Sequence, residues 1–281
     1  PPYGGPLGDL YDPATLPVGA DFMRTPEGHS LFNRCRSEFY LAGEHREDSV
    51  AGCDHHDLHG EPGWRALRAN YMANITLVDR QIGRIMAALE DSGHADDTIV
   101  VFTSDHGDML GDHGLLEKRA FYDGSARVPL LMRVPWLSDG QTLVPGSVGQ
   151  IDLVPMLLDL AGESIPGHLQ GESKAAVLAG DSTLADNDVF VQWNGKGDRD
   201  LGTPTINEMI ALPRRTIVSG DRWKLNLCHG DDGELFDLTS DPHELTNLFG
   251  DVAHIERVRS MAARLRAWQQ ETGDTAPLPA V

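Results

Sequence analysis

A carboxylate, an imidazole and a glycine stand together at Asp105-His106-Gly107, and a lysine, Lys118, follows thirteen residues after the carboxylate. An acid beside an imidazole offers one hard and one borderline donor, a pair suited to a divalent cation. Gly107 lets the backbone leave that pair sharply. Taken alone, Ser104-Asp105-His106-Gly107-Asp108 reads equally well as a strand-end turn carrying solvated acids. His113, in the same stretch, could protonate a leaving group, or could stand behind the site or in solvent. A second cluster, Cys53-Asp54-His55-His56-Asp57-Leu58-His59, places His55 and His59 four apart, a spacing that could share a helical face around zinc. Gly60, Pro62 and Gly63 argue against a sustained helix there, so a polar loop is the expected reading.

The elements that must position these residues are legible by periodicity. Trp64, Leu67, Tyr71, Ile75, Val78, Ile82, Ile85 and Leu89 recur at three- and four-residue steps, which predicts a helix over 63–92 ended at Ser92-Gly93. Thr98 to Thr103 (TIVVFT) is a short apolar run rich in β-branched residues, the pattern of a strand buried on both faces of a parallel sheet. It delivers Asp105 and His106 to a strand's carboxyl end, where ligands of α/β sheets bind. Val128 to Val134 reads as a second strand, and Asp152 as the cap of a helix through about Ala161. This order predicts an α/β sheet flanked by helices. After Gly180 the texture changes: strands at 189–193, 216–219, 223–227 and 234–238 are expected, the middle two joined across Gly220-Asp221. An amphipathic helix over 252–271 closes the chain. The expected division is 1–183, part of a catalytic α/β domain, and 184–281, a small antiparallel subdomain with its terminal helix.

Composition narrows the partners. The 281 residues carry a formal net charge of −20, with 40% hydrophobic and 23% charged residues. Nucleic acid and anionic membranes are not expected as partners, because phosphate binding needs a surplus of Lys and Arg. A small anion is admissible where local cations overturn the global field. No apolar run approaches the ~20 residues of a membrane span. Three widely spaced cysteines, Cys35, Cys53 and Cys228, do not make a disulfide framework. The opening, Pro1-Pro2-Tyr3 onward, has no secretory leader pattern and reads as loop from inside a domain. Localisation is unreadable, and an oligomer stays open.

Read whole, SDHGDMLGDHGLLEKRAFYDGSARVPLL (104–131) resembles the sulfatase family of the alkaline-phosphatase superfamily, including its phosphonate monoester hydrolases. NYMANITLVDRQIGRIMAALEDSG is similar to the family's long helix before the metal strand, and Gln150-Ile151-Asp152-Leu153-Val154-Pro155 to its following helix. Glu234-Leu235-Phe236-Asp237-Leu238, with Asp241-Pro242-His243-Glu244 and Asn247-Leu248, resembles its tail. The resemblance implies an alkaline-phosphatase-like fold and one divalent cation held by Asp105 and His106, calcium first and manganese as the alternative. The imidazole at 106, where many members carry Asn, keeps manganese and the phosphonate hydrolases in view. By the same resemblance Lys118 binds the sulfuryl or phosphoryl oxygens and steadies charge growing on the bridging oxygen. Asp108 would orient His106, Tyr122 and Asp123 would brace the lysine loop, and Arg127 would pair with a carboxylate. Glu244 and Asn247 would serve turns in the tail.

The chain departs from the family at the nucleophile. That nucleophile is a formylglycine made from Cys or Ser in C/S-x-P/A-x-R, and none of Cys35, Cys53 or Cys228 has that context. Ser260 to Arg264 matches the letters but lies on the terminal helix. The family's paired N-terminal aspartates are also missing. The expectation is therefore the C-terminal portion of a longer enzyme, with formylglycine supplied from the rest. Sulfate ester hydrolysis is expected first; phosphonate or phosphate mono- or diester hydrolysis is the alternative, and a non-catalytic metal-binding relic the third reading. The expected partner is a small anionic sulfate, phosphonate or phosphate ester.

Overall fold

The computed structural model describes residues 6–42, 58, 60–137, 140–195 and 203–281. The Cys53-His55-His59 cluster lies outside the described residues. In chain order the elements are helices α1 (Leu31–Leu41) and α2 (Gly60–Asp91), strand β1 (Val100–Thr103), one-turn helix α3 (Asp123–Ala126) and strand β2 (Leu130–Arg133). Helices α4 (Leu153–Leu160) and α5 (Ala175–Leu178), strand β3 (Val189–Trp193) and helix α6 (Pro204–Ile210) follow. The chain ends with strands β4 (Arg214–Val218), β5 (Trp223–Cys228) and β6 (Glu234–Asp237) and helix α7 (Ile255–Thr272). No helix among the described residues is long and apolar enough to cross a membrane. Compactness divides the chain into 1–133 with 195–212, and 134–194 with 213–281.

In the first unit, α2 begins close to the expected place, but its apolar stripe is used only in part. Trp64 and Leu67 are fully buried, whereas Ile75, Val78 and Ile85 are 49%, 54% and 66% exposed. Met109, Leu115 and Leu116 from the loop after β1 are fully buried as well, and Gly111 of that loop lies against Trp64. β1 forms where the β-branched run predicts, yet it pairs antiparallel with β2, Val100 opposite Arg133 and Thr103 opposite Leu130. No parallel pairing occurs among the described residues, and Phe102 and Leu131 face solvent. Within this chain the strand is thus not covered on both faces by the described residues. The run records hydrophobicity and β propensity, neither of which specifies a pairing partner.

In the second unit, β3, β4, β5 and β6 form an antiparallel sheet in sequence order, with β4 and β5 joined as the expected hairpin. Alternation along the strands sorts two faces. Ile217, Leu225, Leu227 and Leu235 pack on Val258, Met261, Ala262 and Leu265 of α7. Burial of such side chains contributes about 1.5–3 kcal/mol each. The opposite face carries polar side chains bonded to one another beside Phe236: Thr216 Oγ1 donates to Asn226 Oδ1 at 2.7 Å, and Asn226 Nδ2 to Glu234 at 2.9 Å. Lys224 Nζ donates to Glu244 at 2.7 Å, so Glu244 neutralises a buried charge, while its amide closes a turn on Asp241 O at 3.1 Å. Asn247 also shapes one, accepting from the amides of Leu235 and Phe249. Asp152 precedes α4 but spends a carboxylate oxygen on the amide of Glu172, 2.9 Å away, instead of capping the helix.

Candidate active site

The loop from Ser104 to Tyr122 is built with little regular structure and many side-chain staples. Four non-glycine residues in it, Leu110, His113, Glu117 and Arg119, have positive φ, between 46° and 83°. Such backbone persists only where its surroundings over-determine it. Here Asp108 Oδ1 accepts from the amides of Leu110 and Glu117, both at 3.1 Å. From α2, Arg68 donates to Leu110 O at 3.1 Å and to the Asp112 carboxylate at 2.7 Å. The 21–23 segment bridges to the loop through Met23 N to Gly111 O and His113 N to Asp21 O. From α1, Arg36 donates to the carbonyls of Leu116, Lys118 and Arg119.

This scaffold brings Asp105, His106 and Lys118 together. Lys118 Nζ stands 2.6 Å from His106 Nε2, and Asp105 Oδ2 stands 3.4 Å from the same nitrogen. His106 Nδ1 donates to Gly107 O at 2.8 Å, an assignment that follows from the carbonyl being able only to accept. The lone pair is thereby directed to Nε2. The Asp105 carboxyl is held below its ordinary range, first by the hydrogen bond from the His106 amide and then by the neighbouring imidazole and Lys118. It is an exposed, ionised oxygen donor beside an imidazole nitrogen that already accepts from a cation. That donor set fits part of a divalent-cation shell. Among the described residues no group of three His, Cys, Asp or Glu side chains could surround an ion, so the pair would be one portion of a shell.

His113 meets Tyr122 and Asp21. It is 2% exposed, its ring stacked on Tyr122 at 4.1 Å and its Nε2 3.9 Å from Asp21 Oδ2. Of the readings open to it, the position behind the site is the one its burial supports. Tyr122 braces the loop as expected, its hydroxyl 2.8 Å from His29 Nδ1 and accepting from Asn33 Nδ2 at 3.2 Å. Arg127 pairs with Asp123 at 3.7 Å. Asp108 organises the loop backbone through the amides of Leu110 and Glu117.

Arg36, Arg68 and His29 were not singled out by sequence. A charged residue inside a helix reads as solvated, and only the flanking Phe32 and Tyr40, four residues either side of Arg36, signal a buried cation. Tyr71 on α2 is a further neighbour, its hydroxyl pKa raised by burial and then by the charges of Asp108 and Asp105.

Comparison with known proteins gives these residues a context. A sulfatase family profile matches residues 22–163, and the profile of the N-sulphoglucosamine sulphohydrolase C-terminal region matches 111–271. The chain is 34% identical over 246 residues to a choline-sulfatase of Rhizobium meliloti, covering 83% of this chain and 44% of that protein. It is 30% identical to an N-acetylglucosamine-6-O-sulfatase of Bacteroides thetaiotaomicron, covering 74% of this chain and 36% of that protein. The phosphonate monoester hydrolase of Silicibacter pomeroyi superposes with a TM-score of 0.78 at 26% identity, over 95% of this chain and 53% of that one. The chain thus spans less than half the length of the curated relatives it matches.

Proposed function

The chain belongs to the sulfatase family, with the alkaline-phosphatase-like fold, and we propose on that footing that it forms part of a metal-dependent sulfate ester hydrolase. The observation that carries the reading is the convergence of an ionised carboxylate, an imidazole lone pair and an ammonium within 3.4 Å on one stapled loop.

Asp105 and His106 Nε2 would hold the cation, calcium or manganese, whose chemistry when bound is to withdraw charge from an ester oxygen and acidify the attacking hydroxyl. Asp105 is ready for that part because its carboxyl loses its proton below the ordinary range. His106 is ready because Gly107 O takes the Nδ1 proton and leaves Nε2 facing the site. Lys118 contributes a positive charge at the same point. It would bind the non-bridging oxygens of the ester and donate a hydrogen bond as charge gathers on the bridging oxygen. In a chain of net charge −20, this local cation and the metal are what would admit an anionic ester. The nucleophile belongs to the remainder of the enzyme, where the family uses a formylglycine.

Phosphonate monoester hydrolysis is the second reading, favoured by the imidazole at 106 and by the 0.78 TM-score to the Silicibacter pomeroyi enzyme. The test is turnover by the full-length gene product on aryl sulfate, choline sulfate, N-acetylglucosamine 6-sulfate and an aryl phosphonate monoester, before and after metal chelation. Chelatable sulfate release, lowered by about 100-fold or more in Lys118→Met, is the expected result. Faster turnover of the phosphonate selects the second reading. Absence of turnover on all four esters with calcium or manganese supplied would overturn both and leave a cation-binding relic.

A further inference from the structure

Arg36 sits on α1, 1% exposed, between the rings of Phe32 and Tyr40, its guanidinium carbon 5.1 and 5.8 Å from their centroids. From there it donates to Leu116 O at 3.1 Å, Lys118 O at 3.0 Å and Arg119 O at 3.2 Å. We propose that Arg36 is a positioning residue for Lys118, gathering the carbonyls of the 116–119 turn on one guanidinium so that the ammonium is presented at His106. The proposal rests on the role given above to Lys118.

Three facts argue for positioning rather than filling of space. One of the three carbonyls belongs to Lys118 itself, so the peptide plane beside its Cα is fixed directly. Lys118 lies between two residues of positive φ, Glu117 at 60° and Arg119 at 83°, a backbone that relaxes to other shapes when its restraints go. On the other side the same turn is held by Asp108 Oδ1 on the Glu117 amide and by Glu117 O on the Met109 amide at 2.9 Å. The turn is therefore gripped from both sides, with Arg36 gripping the carbonyl side. A planar fork is needed for this, because several carbonyls must be reached from one rigid group. Burial lowers the pKa of Arg36, but arginine starts high enough to keep its charge, and with it the strength of the three bonds.

The test is a double-mutant cycle in the full-length gene product, read by turnover and by the imidazole nitrogen resonances of His106. Arg36→Met should lower kcat/KM by about 100-fold, the scale of a misplaced group, while the melting transition remains. In a Lys118→Met background it should cost nothing further, because its effect passes through the lysine. Equal losses in both backgrounds would mean a general structural role and overturn the proposal. The second readout does not depend on turnover. Arg36→Met and Lys118→Met should both move the His106 Nε2 resonance in the same direction, since both break the 2.6 Å contact. A resonance moved by Lys118→Met and left in place by Arg36→Met also overturns it. If Arg36→Met does not fold, Arg36→Lys, which keeps charge and stem but not the fork, carries the same comparison. Lack of turnover in the unsubstituted protein would count against the hydrolase reading, with the resonance still deciding the role of Arg36.

Discussion

Gly107 and Gly124 meet backbone to backbone: a Cβ on Gly107 would fall on the carbonyl oxygen of Gly124, far inside contact distance. The Gly107 amide at the same place donates to Ser125 O at 2.8 Å. The glycine is needed for this close approach more than for the sharp turn that sequence suggests. Gly107→Ala should force the turn off α3 and destabilise the first unit by about 1–3 kcal/mol. Chemical denaturation measures it, and an unchanged midpoint would show that the two loops can part at no cost.

Asp105→Asn removes the charged donor while keeping its shape. Cation affinity should fall by at least about 100-fold, beyond what loss of an outer partner of a ligand causes. Calorimetric titration of the full-length gene product with calcium and with manganese reads this directly. Equal affinity before and after substitution would remove Asp105 from the cation shell.

Lys224 and Glu244 form a buried pair, 0% and 2% exposed in their side chains. Lys224→Met alone should cost about 3–5 kcal/mol, because it strands a carboxylate in the interior. Lys224→Met with Glu244→Leu should recover most of that loss. Urea denaturation of the two variants tests the order; a double variant no more stable than the single one would contradict it.

Asp274, just past α7, receives two hydrogen bonds from Arg215 and one from Gln269. Chiefly because of Arg215, its pKa falls from 3.8 to about 2. Since the folded value is the lower one, the pair contributes its stability above about pH 4 and loses it as pH falls through about 2. Asp274→Asn should therefore be less stable than the parent at pH 6 and approach it near pH 2. A stability gap that stays constant over that range would assign the effect to packing.

How much of this was legible in the sequence depended on what each residue type encodes. The three- and four-residue steps of Trp64, Leu67 and Tyr71 marked α2, and the β-branched run marked β1, because periodicity and propensity are local. The partner of β1 was not legible, since Phe102 reads the same beside a parallel or an antiparallel neighbour. The nearness of Lys118 to His106 followed only from resemblance: a separation of twelve positions through irregular loop carries no period to project. His113 was divided among acid, brace and solvent-exposed side chain, and its 2% exposure excludes only the last. Arg36 was hidden for the opposite reason, because a charge on a helix ordinarily means water.

The grip of α1 on the lysine turn has a consequence for heat. The eleven residues of Leu31–Leu41 are too few to hold a helix alone, and it stands because Phe32, Asn33, Arg36, Ser37 and Tyr40 are buried. Were it to lift, the guanidinium would leave with it and release the turn it holds. On heating, loss of the lysine turn should therefore coincide with melting of the core around α1 and not precede it.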